Sequence, residues 1–356
     1  MTTLDYSPLS SRVTGQDLRE FRDVPGVSES HLTGAAAIVA LMAVLVVGAV
    51  VVGVIGQSLF AAFTSSGAEA LPIPLVFLLI VGVLIAGMVI HRRVTRLRLL
   101  RLYRFATTNG LTLRTNTEVP GYPGSIFAIG SGRTVTEMLS RADGPTVDIG
   151  DLRYTTGSGK NRTTHQWGFV AIRLDRMMPQ MILDAKSNNF LGTNLPVSFS
   201  RNQVLSLEGD FDRYFTLYCP REYERDALYV FTPDLMARLV DEAALFDVEI
   251  VDDWMFLYSA SPFDLADATA LARIFRIVDT VGAKTLDRTE RYADSKVVSG
   301  AVAAASGAPL GARMSANVVA PGGRRLRRGL SVGTVVVFIG VAIYAIVSFL
   351  PFFRLS

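Results

Sequence analysis

Residues 71–90 form a run of apolar residues, and Arg92, Arg93, Arg96, Arg98, Arg101 and Arg104 follow it directly after His91. Twenty apolar residues in a helix extend about 30 Å, the thickness of a bilayer's hydrocarbon core. The arginines then mark the expected exit from the lipid. Lys and Arg collect on the cytoplasmic side of spans, so this end is expected to face inward.

The same reasoning extends along the chain. Residues 33–63, with an uncharged stretch at 34–56, and residues 330–350 read as two further spans. Ala68-Glu69-Ala70 has the look of a cleavage site, but the apolar run before it is too long for a signal peptide, so a retained span is expected. The expected fold class is α+β, membrane-anchored, with three transmembrane helices and one mixed strand/helix cytosolic domain. The boundaries are a polar cytosolic tail at 1–32, helix 33–63, an external loop at 64–70, helix 71–91 and an Arg-rich juxtamembrane helix at 92–110. The cytosolic domain follows at 111–282, then a flexible linker at 283–323, a basic collar at 324–329, helix 330–350 and an external tail at 351–356. The expected location is the cell (inner or plasma) membrane, multi-pass, with the N-terminus and the main domain cytoplasmic.

The arginines that flank the spans wrap most of a helix circumference, which suits a collar at the headgroups better than an in-plane helix. Arg92, Arg93, Arg96, Arg98, Arg101, Arg104, Arg324, Arg325, Arg327 and Arg328 are therefore the expected membrane-interface residues, with anionic headgroups as their partner. Between these clusters acidic residues outnumber basic ones, which argues against nucleic acid. Cys219 is the single cysteine, so no internal disulfide can form.

In the domain, 146–156 and 163–174 flank Gly157-Ser158-Gly159-Lys160-Asn161 and predict a hairpin. A second hairpin is expected from 246–251 and 254–258, turning at Asp252-Asp253. Residues 227–231 read as a strand. Thr232-Pro233-Asp234 starts a helix: a threonine cap, proline at the first position and an acid near the positive end. Ser261-Pro262 is expected to open a last helix.

Motifs for chemistry are thin. Gly157-Ser158-Gly159-Lys160 lacks the earlier glycine and the following Ser or Thr of a phosphate loop. Gly130-Ser131-Gly132 lacks the third glycine of a dinucleotide fingerprint. Glu208, Asp210 and Asp212 alternate as calcium ligands do, but Arg213 stands where the loop needs glycine. Asp252-Asp253 reads as a turn before it reads as a carboxylate pair. Cys219 and His165 form the one nucleophile pairing to be weighed. No catalytic, cofactor-binding or metal residue is assigned, and no cofactor is expected.

The runs Leu207-Glu208-Gly209-Asp210-Phe211, Tyr214-Phe215-Thr216-Leu217-Tyr218 and Asp226-Ala227-Leu228-Tyr229-Val230-Phe231-Thr232-Pro233-Asp234-Leu235-Met236 resemble bacterial membrane proteins of an actinobacterial type. Such proteins pair membrane spans with a cytosolic domain of unknown role, so the resemblance implies an architecture and no site residues. The expected function is a cytosolic module that binds a protein or a lipid. The alternatives are a membrane-tethered enzyme with an unrecognised site and an accessory subunit of a transport complex.

Overall fold

The computed structural model describes residues 4–21, 73–141, 143–189, 193–290, 292–294 and 317–328, with single positions at 24, 48, 53 and 56. The regions expected as loop 64–70, helix 330–350 and tail 351–356 lie outside the described residues, as does helix 33–63 but for three single positions.

Among the described residues, no helix is long and apolar enough to cross a membrane. This finding overturns the expected three transmembrane helices, and with them the membrane-anchored fold class and the multi-pass plasma-membrane location. The second expected span falls within one continuous helix (Ile73–Thr108) of 36 residues.

The chain divides into two compact units. The smaller comprises Leu4–Asn109 and Leu113–Asn116. Its helices are α1 (Ser7–Ser10), α2 (Gly15–Phe21) and α3 (Ile73–Thr108). Residues 4–21, expected in a polar tail, are packed on the arginine end of α3. α2 forms behind a reciprocal cap: Thr14 N donates to Asp17 Oδ2 at 2.7 Å, and Asp17 N donates to Thr14 Oγ1 at 3.3 Å. Those bonds from Thr14, with Arg104 behind them, hold the Asp17 carboxyl below its usual range. Arg104 closes on Asp17 at 2.9 Å, and Arg101 Nε donates to Ser11 O at 3.2 Å. Tyr6 stacks on Phe105, with ring centroids 5.4 Å apart. Asn109 clamps Asp5 from both sides, accepting from its N–H at 2.7 Å and donating to its carbonyl at 2.9 Å.

The larger unit is built on an antiparallel sheet. The strands are β1 (Thr112–Glu118), of which Leu113–Asn116 belong to the smaller unit, β2 (Ser131–Arg141), β3 (Val147–Thr156), β4 (Thr163–Ala185), β5 (Val204–Leu205), β6 (Phe215–Tyr218) and β7 (Asp247–Ser259). The order is β1-β2-β3-β4-β6-β5, with β7 also paired to β4. β4 is the axis, at 23 residues. Along one edge β3 pairs with its first half and β6 with its last four residues, while β7 runs down the other edge. β3 and β4 make the hairpin predicted around Gly157, whose φ of +78° needs glycine: a Cβ there would meet Asn161 O at 2.2 Å.

The second expected hairpin does not exist. β7 runs straight through Asp252-Asp253. Asp252 takes a left-handed φ of +53°, and the β4–β7 register shifts on both sides of Met178, its partner. One residue in that conformation kinks a strand without reversing it, which is a bulge and not a turn. Residues 227–231 also differ from expectation: they fall in α4 (Glu224–Val230) and its C-cap, favoured by Glu224 and Asp226 in the first turn.

α5 (Pro233–Ala243) begins at the predicted Thr-Pro-Asp, with Leu235, Leu239 and Ala243 buried. α6 (Ala268–Ile277) starts later than Ser261-Pro262, because Asp267 caps it by accepting from Thr269 N at 2.8 Å. A π-turn (Val278–Gly282) leads into α7 (Ala283–Thr289), which occupies residues expected in a linker. Gly282 lies against the sheet: a Cβ there would sit 2.7 Å from Ile172 Cδ1. The opposite sheet face carries an aromatic core with Phe127, Phe169, Phe256 and Tyr258, joined by Leu326 from a short C-terminal strap at 317–328.

Replacing Asn109 with Ala removes both bonds to Asp5, each contributing about 1 kcal/mol. Hydrogen exchange at Ser7–Ser11 is expected to rise roughly thirtyfold while the amides of α3 at 99–105 stay protected. Unchanged exchange would show that the Tyr6–Phe105 stack and the Arg101 and Arg104 bonds hold the segment without Asn109.

Candidate functional site

Two features of the larger unit stand out: a row of buried carboxylates on the aromatic sheet face, and a basic cleft beside the strap. Residues i and i+2 of a strand share a face, so Asp247, Glu249 and Val251 project together. The β4–β7 register then puts Ile182 opposite Glu249 and continues to Asp184 opposite Asp247.

Glu249 is fully buried, and its carboxylate accepts four hydrogen bonds. Ser125 N and Ser125 Oγ each donate at 2.7 Å, Gln180 Nε2 at 2.6 Å and Tyr258 OH at 2.7 Å. Burial pushes its pKa up, and the four donors oppose that shift. Both oxygens are filled by donors, which makes Glu249 an anchor for the elements around it.

Asp247 is different. Ala185 N donates to its Oδ1 at 2.8 Å, but Oδ2 is buried without a partner. Burial pushes its pKa up to about 7, and the Asp184 charge across the strand pair adds to the shift. The Asn188 side chain lies against this carboxyl, and its Oδ1 is also a buried acceptor without a donor. The Asn188 side chain opposes the upward shift, though less than burial drives it. Asp184 is itself raised by burial, while Asn189 Nδ2 donates to it at 2.9 Å.

The strap is held mainly through its backbone. Ala320 N donates to Asp294 Oδ2 at 2.9 Å, and Leu326 N donates to Gln180 Oε1 at 2.7 Å. Gln203 reads Arg327 twice, accepting from its N–H and donating to its carbonyl, both at 2.9 Å. With Val319 and Leu326 turned into the core, the arginines point out. Arg325 forks onto Asp252 at 3.0 and 2.9 Å, and that pairing raises its pKa. Beside it lies a cleft of about 390 Å³ lined by Asn202, Gln203, Arg221, Glu222, Arg325 and Arg327 among others. Arg221 is braced by one bond, from Nε to Asn202 O at 2.8 Å. A neighbouring cavity of about 190 Å³ is bordered by Ser125, Gln180, Arg325 and Arg328.

The expected interface arginines thus separate. Arg325, Arg327 and Arg328 border these cavities, and Arg324 donates from Nε to Val319 O at 3.0 Å. Arg92, Arg93, Arg96, Arg98, Arg101 and Arg104 lie on α3, where Arg101 and Arg104 hold the N-terminal segment.

The other candidates are not brought together. His165 sits near the start of β4, hydrogen-bonded to Thr156 Oγ1 at 2.8 Å and stacked on Tyr154. Cys219 follows Tyr218, which pairs with Ile182 near the far end of β4. Its thiol is buried, and burial pushes its pKa up to about 12, so it is protonated at neutral pH. Asp252 and Asp253 serve different arginines, Arg325 and Arg173. Asp212 turns back to accept from Leu207 N at 3.1 Å and from the Ser206 hydroxyl. Among the described residues, no group of three or more His, Cys, Asp or Glu is placed to hold a metal ion.

The buried row escaped the sequence reading, although one signal was present. Asp247-Val248-Glu249-Ile250 puts acids on alternate positions of an otherwise apolar strand, and β4 carries Gln180 and Asp184 in the same phase.

No family model and no curated protein matches the chain. One solved structure is similar in part: the crystal structure of the mycobacterial trehalose monomycolate transport factor A, TtfA. The identity is 10% and the TM-score 0.36, over 53% of this chain and 92% of that one. A likeness of that size carries no argument about fold or role.

Asp247→Asn copies the protonated form, with an N–H in place of the O–H. The folded state keeps a proton that the unfolded chain has lost, so wild-type stability falls as pH rises between about 4 and 7. The variant is expected to gain on the wild type from pH 5 to pH 8, by an amount on the order of a few kcal/mol in urea unfolding. An equal difference at both pH values would show that Asp247 is ionised in the fold throughout.

Proposed function

We propose that this protein acts by binding, and that its basic cleft takes an anionic headgroup of a lipid. The observation that supports this most is the cleft beside the strap, where Arg221 and Arg327 flank a floor of Asn202 and Gln203. A guanidinium presents a planar fork that matches two oxygens of a phosphate, and a cleft with two such forks selects that chemistry over a neutral ligand. Arg325 is already committed to Asp252, so it shapes the wall and leaves the ligand to its neighbours. The site is built on Gln203, whose amide is fully engaged with the strap backbone, and this keeps Arg327 in place.

The chemistry-bearing groups support binding over turnover. Glu249 has its oxygens filled, and Cys219 is buried as a neutral thiol far along β4 from His165. Ser125 lines a cavity, yet its hydroxyl is spent on Glu249.

Sedimentation with vesicles tests the reading. The full chain is expected to bind phosphatidylglycerol-containing vesicles and to ignore phosphatidylcholine ones, with affinity falling as salt is raised. Attraction to an anionic surface contributes about 1 kcal/mol per arginine. The pair Arg221→Ala and Arg327→Ala should therefore weaken binding about thirtyfold. Equal binding to neutral vesicles, or no loss in the double variant, would reject it.

A further inference from the structure

A second surface of the larger unit has the opposite charge. α5 carries two apolar stripes, and the core covers one of them, through Leu235, Leu239 and Ala243. The other runs through Pro233, Met236, Ala237 and Val240, spaced three, four and seven residues apart, and these side chains are exposed or half-buried. With the turn at 208–211, this stripe forms a groove of about 310 Å³. Its floor is Phe211, Met236 and Val240, and Phe211 is fixed by stacking on Phe215 at 5.1 Å.

The rim carries Glu208, Asp210 and Asp241, and no basic residue lines the groove. Arg238, the basic residue of α5, lies about 160° round the helix from Val240. Asp234 is occupied elsewhere, paired with Lys284 at 3.3 Å. Three carboxylates without a cation around an apolar floor repel one another, and a ligand with positive charge at its edges and an apolar centre relieves that repulsion.

We propose that this groove docks a segment of a partner protein in which apolar side chains are flanked by Arg or Lys. The apolar side chains settle on Met236 and Val240, and the cations pair with the rim acids. The size suits one or two large side chains, not a whole domain, so recognition is of a short segment. The surface is separate from the basic cleft, and the proposal stands whether or not that cleft takes lipid.

The test uses the full chain and a fluorescein-labelled peptide of about fourteen residues built only from Leu and Arg at helical spacing. Fluorescence anisotropy is expected to show saturable binding that weakens with salt. Peptides with Glu for Arg, or Ser for Leu, should bind at least tenfold more weakly. Asp210→Lys with Asp241→Lys should cost at least tenfold in affinity for the Leu/Arg peptide. Val240→Ser should cost severalfold, and Asp287→Lys, an exposed acid on α7, should change nothing. Thermal melts of these surface variants report intact folding. Equal loss in Asp287→Lys would reduce the effect to overall charge and overturn the proposal. So would undiminished binding of the Ser-substituted peptide, or no loss in the double charge reversal.

Discussion

Taking a carboxylate wholly out of water is unfavourable by several kcal/mol unless its oxygens are met by well-placed donors. Glu249 is met four times, from three directions. Ser125 brings the short helical turn at Ser125–Ala128 onto the sheet, Tyr258 ties β7 back on itself across its bulge, and Gln180 brings in β4. Gln180 then spends its carbonyl oxygen on Leu326 N, which seats the strap. The strap, the turn and the sheet are registered on one buried carboxyl group. An apolar residue at 249 would leave several donors without acceptors at once, a larger penalty than the loss of any single bond.

The length of β4 makes this arrangement possible. Its first half lies between β3 and β7 and backs the aromatic core, while its last residues lie between β6 and β7 among aspartates and asparagines. A single strand thus runs from a dry end to a polar end. Both proposed binding surfaces draw on the segment at 202–221 beside the polar end. Asn202, Gln203 and Arg221 border the basic cleft, and Glu208, Asp210 and Phe211 border the acidic groove. Two surfaces of opposite sign on one short segment keep the ligands of each from competing.

What could be read from the sequence follows from the range of the forces involved. The hairpin around Gly157 and the helix start at Thr232-Pro233-Asp234 depend on neighbours within a few residues, and both are where the pattern puts them. Asp252-Asp253 misled because the same residue types favour a turn and a left-handed bulge, and the long partner strand decides between them. Residues 4–21 look unanchored in sequence, since their partners, Arg101, Arg104, Phe105 and Asn109, lie some ninety residues away. Arg325 and Arg327 could be recognised as a cluster, but their bond partners, Asp252 and Gln203, could not be named without the fold.

The way the strap is seated has an evolutionary consequence. Gln180, Gln203 and Asp294 grip its amides and carbonyls, which every residue type except proline supplies alike. Side-chain identity matters at Val319 and Leu326, which are buried, at Gly323, where a Cβ would meet Tyr223 Cζ at 2.5 Å, and at Arg325, which forks onto Asp252. Positions 327 and 328 are therefore free to drift in charge and size without unseating the segment that carries them. A lineage could retune the charge of the cleft, from basic toward neutral or acidic, by point changes that leave the folding energy nearly untouched.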